Sequence, residues 1–282
     1  MSRYNKHVIV LGSARSGTSW LSENLAKPFR YRMLFEPEHD ERTPKGHLLT
    51  DRFFSEKHPA SKEAIKYLHQ VFQNRMDCNW IAQHSNRKYK MHLWPFIPKK
   101  FIIKLVRFNL SGQFLHKEFQ IPIVHIIRHP FDVIQSQKRV NFPWLLDFSF
   151  FLKQNHLVEL VQKEFNYDLR QIDKKSVIEK LAVRWCLENV IPLEINTVPS
   201  ENYWVIKHED LRNDIQVYKD LCAKLNLEIL NDIDKEYTKP SSKTHPKSTV
   251  RGEKDKRQFL DTNEVNLIRN ILGTFDQKLY EL

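Results

Sequence analysis

The sequence predicts one α/β domain with a mainly parallel central sheet and helices on both faces. Three observations carry this prediction. Apolar runs rich in β-branched residues alternate with segments of helical period. Polar or charged side chains follow several of these runs, as they do where parallel strands end at a ligand site. Two of only six glycines flank a short turn directly after the first run.

The predicted elements follow one another in an alternating order. Apolar runs at 7–11, 31–35, 101–106, 121–127 and 202–208 predict strands. Helical periodicity predicts helices after the first run, after Pro130, through most of 144–195, and at about 60–74, 110–118, 215–227 and 263–272. No repeat or low-complexity linker divides the chain, so we expect a single domain over 1–282 with its core from about 5 to 275. The side chains expected at or near strand ends are Arg15, Glu36, Lys104, Arg128 and His208.

Composition excludes several classes of protein. Hydrophobic residues make up 41% of the chain, which is enough to build a core and argues against disorder. No window holds the roughly 18 consecutive apolar residues of a spanning helix, and the apolar stretch near the amino terminus is too short for a secretory signal. Three widely spaced cysteines offer neither a disulfide framework nor a CxxC metal site. We expect a cytoplasmic protein of a reducing compartment.

Positive charge is concentrated in two segments. The chain carries 45 Lys and Arg against 34 Asp and Glu, a formal net charge of +11. No acidic residue lies between Asp77 and Glu118, and the segment 239–257 carries seven basic side chains. This balance favours an anionic partner such as a nucleic acid, a membrane surface or a polyanionic small molecule, although solvated basic faces would show the same pattern.

A strand, a turn and a helix surround the first two glycines. The segment reads HVIVLGSARSGTSWLSENLA, in which Leu21 and Leu25 share one helical face. Gly12 and Gly17 let the backbone curl so that successive N–H groups and the helix N-terminus point at one anion. We therefore predict a phosphate-binding loop of the P-loop nucleotide-binding type. Its predicted contacts are Ser13, Arg15, Ser16, Gly17, Thr18, Ser19 and Trp20.

The residue after the second glycine differs from that of nucleotide-hydrolysing loops. Those loops have Lys there, then Ser or Thr on magnesium, and an Asp after a hydrophobic strand. Here Thr18 stands at the lysine position, and Arg15 lies two residues before Gly17. Asp210 is the nearest acidic candidate at an apolar strand end. The pattern predicts an anion site without a dedicated metal and a group transfer managed by cationic side chains.

The segment GSARSGTSWL resembles the 5′-phosphosulfate loop of the sulfotransferases that use 3′-phosphoadenosine 5′-phosphosulfate (PAPS). A second segment, IPIVHIIRHPFDVIQSQ, supports the resemblance with a strand ending at Arg128 and a Pro-initiated helix carrying Ser136. In that family an Arg and a Ser at this spacing hold the 3′-phosphate of the nucleotide. The resemblance implies a P-loop sulfotransferase domain with PAPS as co-substrate. The sequence resembles the carbohydrate and bacterial type of this family more than the cytosolic phenol and steroid type.

Weaker motifs extend the resemblance towards the carboxyl terminus. In VIKHEDL, His208 stands where the family commonly has a tyrosine against the adenine, and it either stacks there or is an ordinary surface histidine. The segment VRGEKDK resembles the loop that closes over the 3′ end of the nucleotide, which makes Arg251 and Gly252 candidate contacts. The family's downstream tryptophan is missing, and Phe259 is the candidate substitute.

The resemblance also implies the catalytic groups. Cytosolic members carry Lys-Thr-His on the strand that corresponds to FIIKLVRF, but here Lys104 is followed by Leu-Val and the histidine is absent. Glycan-type members use a glutamate after the second strand, which here is Glu36 in LFEPEHD. We expect Glu36 to be the base, Arg15 to stabilise the leaving phosphate and Lys104 to be a second cation. Glu38 and His39 are alternative bases.

The acceptor is predicted only as a class. By resemblance, the glutamate indicates a hydroxyl on a glycan or glycolipid. The aromatic stretch 141–152 is either a wall of the acceptor pocket, a buried helix start, or a lid that touches a lipid-linked glycan in peripheral contact with a membrane. Trp80 and Trp94 are further surfaces on which a sugar ring would lie.

Two other functions are compatible with parts of the sequence. A P-loop kinase of a nucleoside or small metabolite would need magnesium, with Asp210 or Glu36 as a ligand. A non-catalytic binder of nucleic acid or another polyanion would explain the net charge but not the glycines between strand and helix. We therefore expect no nucleic-acid partner.

Overall fold

A five-stranded parallel sheet forms the centre of the protein. The computed structural model describes residues 4, 6–28, 31–76, 78–82, 100–195, 201–242 and 260–281. The strands lie in the order β2-β3-β1-β4-β5, and every neighbouring pair is parallel. Their bounds are β1 Val8–Leu11, β2 Tyr31–Phe35, β3 Lys100–Leu105, β4 Ile123–Ile127 and β5 Tyr203–Lys207. The five predicted strands and the parallel sheet are confirmed.

The strands are buried to the degree that their apolar runs predict. Every residue of β1, β2 and β4 is buried, as expected of strands covered on both faces. The edge strand β5 differs, since Val205 is 47% exposed. The other edge strand, β2, is buried along its whole length, so a position at the edge of the sheet does not by itself decide exposure.

Helices connect the strands and continue beyond them. The bounds are α1 Thr18–Ala26, α2 Lys62–Phe72, α3 Asn79–Ala82, α4 Gly112–Phe119, α5 Pro130–Val140, α6 Ser149–Leu152, α7 Asn155–Phe165, α8 Val177–Val190, α9 His208–Asn213, α10 Ile215–Lys224, α11 Ile233–Tyr237 and α12 Thr262–Thr274. Among the described residues, no helix combines the length and the apolar composition that crossing a membrane requires.

Helices cover both faces of the sheet. Successive residues of a strand point to opposite faces, and β1 divides its side chains between two clusters. Val8 and Val10 pack with residues of α1, α10 and α11, whereas Ile9 and Leu11 pack with residues of α2 and α4. A third apolar cluster joins α5, α6, α7, α8 and α12. The predicted covering of both faces is confirmed.

Local sequence signals fix several helix ends. Pro130 stands in the first turn of α5, where its missing N–H costs nothing. Capping boxes begin α8, through Ser176 and Glu179, and α12, through Asp261 and Glu264. These reciprocal hydrogen bonds satisfy N–H groups that the helix itself cannot.

The structure differs from the predicted elements in two places. The predicted helical stretch 144–195 is broken into 3₁₀ turns at Pro143–Leu146 and Leu169–Lys174, the helices α6, α7 and α8, and a π-helical segment at Ile191–Ile195. The last segment contains Pro192, which lacks the N–H that a regular α-helix uses. The apolar run 202–208 ends as a strand at Lys207, because His208 already begins α9.

Candidate functional site

The carboxyl ends of the five strands carry the predicted site residues. Because the strands are parallel, these ends meet at one edge of the sheet, where ligands bind in such folds. The residues there are Gly12 after β1, Glu36 after β2, Lys104 near the end of β3, Arg128 after β4 and His208 after β5. The topology therefore brings together residues that lie nearly 200 positions apart in sequence.

The phosphate loop, residues 12–17, needs glycine at both ends. Gly17 has a φ of 92°, and a Cβ atom there would lie 2.5 Å from Cδ2 of His208. A Cβ atom on Gly12 would collide with the carbonyl oxygen of Ile126. Gly17 is also the N-cap of α1, so the loop delivers the N-terminus of that helix to the edge of the sheet.

Three amide side chains hold the loop in shape. Asn109 Oδ1 accepts a hydrogen bond from the Gly12 N–H at 2.8 Å. Gln137 Nε2 donates to the Ala14 carbonyl at 3.0 Å. Asn189 Nδ2 donates to the Ser13 hydroxyl at 2.9 Å. These three residues were not predicted, because an isolated buried amide gives no local signal of its distant partner.

The two sequence motifs meet at the loop. Arg15, which has a left-handed φ of 77°, donates from Nε to the Ser136 hydroxyl at 3.0 Å. Arg128 donates from Nη1 to the Arg15 carbonyl at 3.1 Å, and its Nη2 lies 3.2 Å from the Asp132 carboxylate. Trp185, which is buried in the core, donates from Nε1 to the Arg128 carbonyl at 3.2 Å. The loop and the arginine–serine segment thus form one surface.

This surface is strongly positive. The pKa of Arg15 is lowered to about 10, first by burial and then by the positive charges of Arg128 and Arg139. The Ser16 hydroxyl is buried and has no hydrogen-bond partner among the described residues. Converging guanidinium groups repel one another, and a bound anion relieves that repulsion. The geometry is therefore suited to a phosphate or sulfate group.

Glu36 and Lys104 form an ion pair at the ends of β2 and β3. The Glu36 N–H donates to the Lys104 carbonyl at 2.9 Å, and the side chains pair through Nζ and Oε1. The Lys104 side chain is 3% exposed and that of Glu36 is 15% exposed. Glu36 has a φ of 42°, a conformation that side-chain-bearing residues rarely adopt and that is concentrated at functional sites.

The two alternative bases have different surroundings. Glu38 is fully buried, and its Oε1 accepts the N–H groups of Val106 and Arg107 at 2.6 and 3.1 Å. Burial, followed by the charge of Glu36, raises the pKa of Glu38 to about 7. His39 packs edge-on against Trp80, with ring centroids 5.1 Å apart, and burial lowers its pKa. Glu38 thus supports the turn after β3, whereas the Glu36 side chain is only partly buried and pairs with Lys104.

The remaining predicted contacts differ in how close they lie to the phosphate loop. His208 lies against Gly17, whereas Trp20 faces the α10–α11 layer and contacts Tyr218 and Tyr237 with ring centroids 6.1 and 5.1 Å apart. Thr18 and Ser19 occupy the first turn of α1, where Thr18 is buried. The predicted contacts Arg251 and Gly252, together with Trp94 and Phe259, lie outside the described residues.

The aromatic stretch 141–152 is largely core. Leu145, Phe148 and Phe151 are buried in the helical layer, which favours the buried-helix interpretation for these three. Trp144 is half-buried, and the guanidinium carbons of Arg107 and Arg184 lie 4.9 and 5.6 Å from its ring centroid. These positions are typical of cation–π contacts.

A network of buried charges lies between the loop and Trp144. Arg184 is fully buried, and its Nη1 lies 3.2 Å from carboxylate oxygens of both Asp51 and Glu188. Asp51 also lies 3.5 Å from Arg107, and Asn189, which follows Glu188 in α8, donates to the Ser13 hydroxyl. This network, which was not predicted from the sequence, connects the phosphate loop to the residues around β3.

Among the comparisons with known proteins, only the comparison with solved structures finds similar proteins. No family model matches the sequence, and no curated protein matches it. A sulfotransferase from Mycobacterium avium is 15% identical, with a TM-score of 0.48 over 100% of this chain and 79% of that chain. The sulfotransferase domain of a Synechococcus olefin synthase is 16% identical, with a TM-score of 0.47 over 98% and 94%. A mouse sulfotransferase crystallised with PAP is 11% identical, with a TM-score of 0.46 over 99% and 86%.

All three are sulfotransferases. At identities of 11–16%, the activity of this chain has to be inferred from its own site residues. In the part of the chain that the structure describes, no group of three or more His, Cys, Asp or Glu is placed to hold a metal ion.

Proposed function

We propose that this protein is a sulfotransferase that transfers the sulfuryl group of PAPS to a hydroxyl acceptor and releases adenosine 3′,5′-bisphosphate (PAP). One observation carries the proposal: Arg15 of the phosphate loop contacts both Ser136 and Arg128. A nucleotide with phosphates at both its 5′ and 3′ positions needs two adjoining anion sites. The loop supplies the first, and the arginine–serine pair supplies the second.

Each of the two anion sites is proposed to bind one phosphate-bearing end of the nucleotide. The N-terminus of α1, the Thr18 hydroxyl and the Arg15 guanidinium suit the 5′-phosphosulfate, since they are donors fixed before the ligand arrives. Arg128 and Ser136 suit the 3′-phosphate. His208, directly beside Gly17, is proposed to lie against the adenine. Arg251 and Gly252 are proposed as further contacts at the 3′ end.

The transfer step requires a base and a stabilised leaving group. The acceptor oxygen forms a bond to sulfur while the bond from sulfur to the bridging phosphate oxygen breaks. Glu36 takes the acceptor proton, and the bridging oxygen leaves as part of the PAP phosphate, stabilised by Arg15 and the loop N–H groups. Lys104, paired with Glu36, is a second cation at this end of the site. The group transferred is the sulfuryl group, and nothing is oxidised or reduced.

The acceptor is proposed to be a hydroxyl of a glycan or glycolipid. Trp80 lies beside the proposed base, because its ring contacts Phe35 and His39 at 5.3 and 5.1 Å between centroids. Half-buried indoles suit the apolar face of a sugar ring, and Trp144 is a second such surface near Arg107. The described cysteines are all free and buried, which suits the reducing cytoplasm that we propose as its location.

Arg128→Ala is expected to abolish the preference of the protein for PAP over adenosine 5′-monophosphate. Removing a charged donor to a phosphate costs about 1.5–3 kcal/mol, so PAP affinity should fall roughly 10- to 100-fold. Affinity for the monophosphate should change little. Isothermal titration calorimetry with both nucleotides measures the two constants.

The control is Arg75→Ala, which removes the same charge from an exposed position. Unchanged preference in Arg128→Ala would contradict the proposed 3′-phosphate site.

The same titrations with magnesium and with a chelator test the kinase alternative, since that function requires the metal. We expect equal PAP affinity in both, and turnover with PAPS that does not depend on magnesium.

A further inference from the structure

Helix α5 contacts the phosphate loop through consecutive side chains. Ser136 accepts the hydrogen bond of Arg15, and Gln137 donates to the carbonyl of Ala14. The helix therefore lies against the loop near its own carboxyl-terminal half. A residue one turn after Ser136 lies on the same side of α5 as Ser136.

Arg139 occupies that position. It follows Ser136 by three residues and is half-buried in the last turn of α5. Its charge acts on Arg15 together with that of Arg128, and both charges disfavour the protonated guanidinium of Arg15. The positive charges of Arg128, directly after β4, and of Arg139, on α5, thus both act on the guanidinium group of Arg15. The neighbouring Lys138 has its Nζ 2.5 Å from the Glu264 carboxylate on α12.

We propose that Arg139 is a further binding residue for the phosphate monoester that Arg128 and Ser136 hold, so that guanidinium groups from two elements surround one dianion. This inference rests on the proposed function, and it assigns a residue that the sequence motifs do not contain.

The charge of the ligand explains why another cation is useful. A phosphate monoester carries about −1.5 to −2 charges near neutral pH and presents three acceptor oxygens. One arginine satisfies two of these oxygens in its fork geometry, which leaves acceptor capacity and charge for a second. A hydroxyl or a monoanionic group in the same place would gain much less binding free energy from a second arginine. Arg139 therefore contributes to discrimination between a 3′-phosphate and a 3′-hydroxyl.

A purely structural role for Arg139 predicts a different result. A cation in the last turn of a helix stabilises the helix through the macrodipole, whatever ligand is present. Loss of that role would lower the stability of the protein and would not change the preference for one nucleotide over another. The ratio of PAP affinity to adenosine 5′-monophosphate affinity separates the two roles.

The test compares Arg139→Ala, Arg139→Lys and the control Lys138→Ala by calorimetry with PAP and with adenosine 5′-monophosphate, alongside thermal unfolding without ligand. Arg139→Ala is expected to lower PAP affinity about tenfold and monophosphate affinity less than twofold. Arg139→Lys should recover part of the loss, because it restores the charge without the fork. Lys138→Ala should keep the wild-type ratio.

Each result bears on one proposal. An unchanged ratio in Arg139→Ala, with or without a lower melting temperature, would overturn the role of Arg139. If Arg128→Ala lost the preference in that case, the proposed function would still stand. If the wild-type protein itself bound both nucleotides equally, the proposed function would fail first.

Discussion

Glu36→Gln is expected to lower kcat for sulfuryl transfer by about 100-fold or more, the usual loss when a general base is removed. The amide cannot accept the proton of the acceptor hydroxyl, although it keeps the shape of the carboxylate. PAP affinity should stay within a few-fold of wild type, because the phosphate sites are formed by other residues. Steady-state kinetics with PAPS, together with PAP calorimetry, measures the two effects separately.

The ion pair with Lys104 makes a stability control necessary. The substitution leaves a lysine that is 3% exposed without its carboxylate, so thermal unfolding of the variant has to be compared with wild type. Glu41→Gln is the matched control, since it makes the same chemical change at an exposed position of the same segment and should keep wild-type turnover. Near-wild-type kcat in Glu36→Gln would move the base elsewhere, and His39→Gln would then be the next variant.

Arg184→Met is expected to destabilise the protein by about 3–5 kcal/mol, because removing one partner of a buried ion network leaves uncompensated charge. Asp51 and Glu188 would lose their shared cation, and the carbonyls of Trp144 and Leu145 would lose hydrogen bonds of 3.2 and 2.8 Å. Urea unfolding gives the change in the free energy of unfolding.

A milder variant and a surface variant complete this experiment. Arg184→Lys keeps the charge but cannot reach the same set of acceptors, so an intermediate loss is expected. Arg170→Met, at an exposed position, should change the free energy of unfolding by no more than about 0.5 kcal/mol. A loss below about 1 kcal/mol in Arg184→Met would show that the network contributes little net stability, as some buried ion pairs do.

The strands could be predicted because each signal is local. A run such as VIVL or IVHII is apolar throughout, which is what a strand covered on both faces requires. The phosphate loop could be predicted for the same reason, since its glycines, strand and helix are contiguous. Helix boundaries between 144 and 195 could not be predicted well, because Pro192 and the short aromatic turns break a continuous apolar period.

The residues that support the site gave no sequence signal. Asn109, Gln137 and Asn189 each bond to the loop from positions that are 97, 123 and 176 residues away. Arg184 is fully buried in a helix whose apolar pattern predicts only core packing. Such roles depend on which elements the topology brings together, and a single sequence does not contain that information. The contact between Glu36 and Lys104 likewise follows from the pairing of β2 with β3.

A crystal structure of the protein with PAP tests the central claim most directly. We expect one molecule to span the site, with its 5′-phosphate at the phosphate loop and the N-terminus of α1 and its 3′-phosphate within hydrogen-bond distance of Arg128 and Ser136. A nucleotide bound elsewhere, or a loop and an arginine–serine pair that one molecule cannot bridge, would contradict the assignment of this site to a 3′,5′-bisphosphorylated nucleotide.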